Sequence, residues 1–123
     1  LKKDGNCVIM TISHSRLKRH VISNFPGVTA IDRGRFPSIP SIKSLMVKVG
    51  LRNVHSHLVK HDLGSLPVAQ LLNRVRDKYI STLTLLSEEQ FQKGFKIFQE
   101  RVKNKYGDQI KWISEFSFVV GQK

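Results

Sequence analysis

The sequence predicts an α/β domain with three strands, the last of them central in the sheet. Two observations carry this. Residues 110–120, IKWISEFSFVV, place Ile110, Trp112, Phe116, Phe118 and Val120 on one face at period two, with Ile113 and Val119 on the other. A strand apolar on both faces belongs inside a sheet, because an edge or one-sided strand would leave one of those faces in water. The second observation is the alternation of strand-like and helical patterns, in the order β, α, long loop, α, β, α, α, β.

Residues 1–5, LKKDG, read as a polar turn. The strand from Cys7 to Ile12 is a nearly unbroken apolar run, suited to burial on both faces. Residues 14–25 predict a short helix, with Leu17, Val21 and Ile22 at helical spacing and Pro26-Gly27 as its stop. Residues 28–39 show no period, hold Gly34 and Pro37, and read as a long irregular excursion carrying Asp32, Arg33 and Arg35. Pro40-Ser41 opens a helix with Ile42, Leu45, Met46 and Val49 along one stripe and Gly50 beyond its end. Imperfect alternation over Val54, His55, Ser56, His57, Leu58 and Val59 predicts a half-exposed strand, and residues 63–67 a turn. A helix over 68–79 follows. Ser87 and Gln90 form a capping box for a helix running to about Lys105, with Phe91, Phe95, Phe98 and Val102 on its buried face and Gly94 at a cost in mid-helix.

With 123 residues, the chain can build one core. Its apolar content of 40% argues against a disordered tail, and no apolar run approaches the roughly 20 residues that cross a bilayer. A single cysteine, Cys7, excludes an internal disulfide and any multi-cysteine metal site, and fits a reducing, cytoplasmic setting. Twenty-one Lys and Arg against nine Asp and Glu give a net charge of +12, which favours polyanionic partners such as nucleic acid or an anionic substrate.

Read together, these stretches resemble the C-terminal half of class I S-adenosylmethionine-dependent methyltransferases, the type 11 group in particular. LKKDGNCVIMTIS resembles the polar Gly turn and fifth strand of that family. IKSLMVKVGLRNVHSHLV resembles the helix and sixth strand, with Val49-Gly50-Leu51 at the junction, where Leu replaces the family's Phe. RDKYISTLTLLSEEQFQKG resembles a helical segment of the type 11 group through Arg76, Asp77, Ser81, Thr82 and Leu83. The final strand resembles the seventh, which in the family inserts antiparallel between the fifth and sixth. The resemblance implies the C-terminal half of a Rossmann-like methyltransferase sheet, with helices on both faces, forming the last part of a longer chain. It also implies S-adenosyl-L-methionine as cofactor of that longer protein. The Gly-rich loop and the ribose-binding acidic residue lie upstream in the family and are absent here. This chain alone is therefore expected to hold no cofactor and to be inactive. Its expected partners are the missing N-terminal half and, through the unpaired edge of the first strand, a second copy of itself.

In the family the acceptor meets the cofactor near the carboxyl ends of the strands, so the resemblance points to substrate-side residues and to no cofactor-binding ones. His14 is the candidate base, with Arg16 beside it, Arg33 and Arg35 on the long excursion, and Arg76 and Tyr79 facing the same cleft. His55, His57 and His61 lie along one strand face, but their spacing does not set three imidazoles around one ion, and no metal is expected. The alternatives are a basic nucleic-acid-binding module and a small α/β interaction domain without catalysis.

Overall fold

A computed structural model describes residues 2–123; Leu1, the first residue of the expected LKKDG turn, lies outside them. The elements are β1 (Asn6–Thr11), α1 (His14–Arg19), α2 (Val28–Arg35), α3 (Ile39–Lys48), β2 (Arg52–Pro67), α4 (Val68–Arg76), α5 (Glu88–Tyr106) and β3 (Gln109–Gln122), with 3₁₀ turns at Val21–Asn24 and Ser81–Leu85. The described strands form one α/β sheet in the order β1-β3-β2. β3 is antiparallel to both neighbours, pairing Val120 with Val8 on one side and with His55 on the other. The last strand is thus central, as its two-sided apolar pattern requires. The order and the antiparallel pairing are not those of a Rossmann sheet, whose strands are parallel.

Local chemistry fixes most boundaries. Ser13 caps α1 by accepting the Arg16 N–H, Ser38 caps α3 by accepting the Ser41 N–H, and Ser87 and Gln90 close the capping box of α5. Three stretches differ from the sequence reading. Residues 28–35 are helical, not irregular: Gly27 in the left-handed region starts α2, and Pro37 lies beyond its end. The predicted helix over 14–25 is α1 followed by a 3₁₀ turn, because His20 is extended between them. Residues 63–67 continue β2 instead of turning. One extra residue is absorbed between Asp62 and Ser65, where Gly64 has φ 86°, and the strand resumes pairing with Leu66 opposite Ile110.

Two cores lie on opposite faces of β3. On one, α3 places Ile42 and Met46 over Val119, with Cys7, Leu51 and Val54 at the margin. On the other, Ile110 joins Leu71, Val75, Phe91, Phe98 and Val102 of α4 and α5, with Phe25 among them. Phe25 stacks on Phe91 at 5.7 Å and packs at a tilt against Phe98 at 5.8 Å. Helices therefore lie on both faces, but they do not cover both completely. Phe116, Phe118 and Val120 are only half-buried. Val8 and Met10, next to Val120 and Phe118 in β1, are 57% and 59% exposed. The expectation that residues 7–12 are buried on both faces is corrected: among the described residues β1 is an edge strand with one neighbour, and no helix closes the Phe118 side.

Candidate functional site

Where β1 ends, α1 takes over the flank of β3. Arg16 donates from Nη2 to the carbonyl oxygen of Ile113 at 2.8 Å, so a side chain occupies the edge position that a longer β1 would have paired. A cleft of about 300 Å³ opens between α1, the Ser81–Leu85 turn and β3. Its walls are largely apolar, with Ile12, Phe36, Ile80, Trp112 and Phe116 among the lining residues.

Three polar groups are built into these walls. Glu115 is buried, at 4% exposure, on β3. It accepts two hydrogen bonds from Arg19, at 3.1 and 2.7 Å, and Lys60 Nζ stands 3.5 Å away. The Arg19 hydrogen bonds hold its carboxyl below the usual carboxylate range, and the charges of Arg19, Arg16 and Lys60 add to this against the effect of burial. Asp32, also buried, accepts the Thr82 hydroxyl, and Thr82 in turn accepts from Arg35 Nη1 at 2.8 Å while Arg35 Nη2 reaches Ser81 at 3.0 Å. His20 packs edge-on to Trp112 at 6.2 Å and is pushed down to about 4 by burial, with the Arg16 charge adding. Its Nδ1 accepts the Ile22 N–H, so the neutral ring carries its hydrogen on Nε2.

Of the residues named from sequence, Arg16 and Asp32 line this cleft. His14 stands behind Phe36, whose carbonyl oxygen lies 2.7 Å from its Nε2. A carbonyl can only accept, so that nitrogen bears a hydrogen, and in the neutral tautomer the lone pair is on Nδ1. Arg35 braces the rim through Ser81 and Thr82. Arg33 is exposed on α2. Arg76 lies over the Phe95 ring at 5.3 Å and donates to Asn73, and neither it nor Tyr79, 37% exposed beyond α4, lines the cleft. The cleft residues overlooked were His20, Glu115 and Thr82. Glu115 does carry a signal, as the one acid in the mostly apolar run 110–120.

The described residues do not fit a dinucleotide-type cofactor. Ile12 and Ser13 alone separate β1 from α1, and β2 passes directly into α4 at Pro67, so neither strand–helix junction offers the glycine-lined backbone that cradles phosphate or ribose. No group of three His, Cys, Asp or Glu suited to a metal occurs among the described residues, and none of their helices is long and apolar enough to cross a membrane.

These elements define an α/β domain with a central antiparallel strand and an apolar cleft beside the first strand's carboxyl end. No protein-family model matches the chain, and no curated protein matches it.

Proposed function

We propose that the chain is the C-terminal part of an S-adenosylmethionine-dependent methyltransferase, completing its sheet and supplying the substrate side of its site. The observation that carries this reading is the sheet order. The last strand runs antiparallel between two strands that are joined by a crossover containing α3 and are parallel to each other. That is the arrangement the resemblance implies for the family's fifth, seventh and sixth strands. The open Phe118 side and the unpaired β1 edge are the surfaces that an N-terminal half would cover in such a protein.

The described residues offer no glycine-lined junction for the cofactor, which, held elsewhere, would supply the methyl group. Methyl transfer from a sulfonium requires the acceptor to be held in line and shielded from water. The apolar cleft at the end of β1 can do both. His14, whose ring is oriented by the Phe36 carbonyl behind the cleft wall, is the candidate proton acceptor through Nδ1.

Calorimetry on the chain extended upstream tests the reading. Binding of S-adenosylmethionine is expected to appear when the upstream half is present and to be absent with residues 1–123 alone. An upstream coding sequence with no Gly-rich loop after a strand would remove the basis for the proposal.

A further inference from the structure

We propose that the cleft beside α1 binds a small amphipathic anion, its apolar body against Trp112 and Phe36 and its acidic group at Arg16. The apolar body follows from the lining: Ile12, Phe36, Ile80, Trp112 and Phe116 present little for a sugar or a polar chain to bond. The sign of the charge follows from what the walls already hold. Both carboxylates are engaged, Glu115 by Arg19 and Lys60, and Asp32 by Thr82. A cationic ligand would meet acids that already have partners. Arg16 is different: its guanidinium carries five N–H donors, one of which is given to the Ile113 carbonyl, and among the described residues no carboxylate is bonded to it. Behind the lining, Arg19 and Lys60 pair with Glu115 and Arg35 bonds Thr82, so together with Arg16 four cations stand against the two acids of the cleft. Apolar walls strengthen that field relative to water. The neutral His20, with hydrogen on Nε2, adds a donor and no opposing negative charge.

That the anion is a methyl acceptor rests on the methyltransferase reading; that it binds does not. Trp112 is the only tryptophan and lines the cleft, so its fluorescence reports occupancy directly. The chain is titrated with octanoate, octanol and octylammonium, which share one apolar body and differ in charge. Octanoate is expected to saturate the Trp112 response at a concentration at least tenfold lower than octanol, with octylammonium weakest. Arg16→Gln should abolish the preference of octanoate over octanol, and Arg16→Lys, which keeps the charge, should retain most of it. Phe118→Ser, on the open side of the sheet, should leave the titration unchanged. Equal affinity for the three probes, an unchanged preference in Arg16→Gln, or loss of the octanoate response in Phe118→Ser would each overturn the site. Failure of the extended chain to bind S-adenosylmethionine, with octanoate selectivity intact, would instead sink the methyltransferase reading and leave the anion site standing.

Discussion

The sequence pattern places His20 only within a helix, yet its environment has the clearest consequence for pH. Its folded pKa, about 4, lies below the ordinary value of 6.5, so the folded chain excludes a proton that the unfolded chain takes up. Stability from this exclusion is complete above pH 6.5, declines as the pH falls toward 4, and changes no further below that. The depression is worth at most about 3–4 kcal/mol. Glu115 acts in the same direction but later, because its depressed carboxyl loses its contribution only as the pH falls below the ordinary carboxylate range. His20→Gln should therefore flatten the fall in urea midpoint between pH 6.5 and 4 and leave the steeper loss at lower pH. An identical slope in wild type and variant would show that His20 is not the group responsible. Neither residue's role was legible beforehand, because each depends on partners distant in sequence: Trp112 for His20 and Arg19 for Glu115.

Among elements, those with local signals were read well and those set by tertiary context were not. The capping box of α5, the stripe of α3 and the two-sided pattern of β3 depend on neighbours within a few residues. The helix α2 hides behind Gly34, Pro37 and a weak period, and the run of β2 through Leu66 depends on a bulge that only pairing with β3 reveals. Gly94 shows the same limit in α5. A mid-helix glycine costs about 1 kcal/mol relative to alanine, so propensity alone recommends the replacement. Packing forbids it: a Cβ at Gly94 would sit 2.4 Å from Cε1 and 2.9 Å from Cζ of Phe25. Phe25 is 1% exposed and wedged against Phe91 and Phe98, so its ring has little room to retreat. Gly94→Ala should lower stability by about 1–2 kcal/mol, the overpacking cost outweighing the gain in propensity. Adding Phe25→Leu should recover part of the loss relative to Phe25→Leu alone, as a double-mutant cycle in urea would measure. A stabilised Gly94→Ala protein would mean that the ring moves aside.

At the scale of the whole molecule, the sheet is finished on one side and open on the other. β2 is flanked by its bulges and by charged or polar side chains, including Arg52, Lys60 and Asp62, which discourage further pairing. β1 has no such protection. Its outer edge is unpaired among the described residues, and Val8, Ile9 and Met10 are 57%, 38% and 59% exposed. Met10 lies next to Phe118 and His57 across the sheet, which extends the apolar surface from the edge inward. A flat apolar edge of this kind recruits another strand unless something covers it. By itself the chain is therefore expected to self-associate through β1, with an apparent mass in light scattering that rises with protein concentration. The net charge of +12 opposes this at low ionic strength, so association should strengthen as salt screens the repulsion. Met10→Lys places a charge on the exposed edge at a position already in solvent. It should hold the chain monomeric while moving the urea midpoint by less than about 0.5 kcal/mol equivalent. A wild-type chain that stays monomeric at high concentration and high salt would show that the edge is not adhesive. Unchanged association in Met10→Lys would move the contact away from β1.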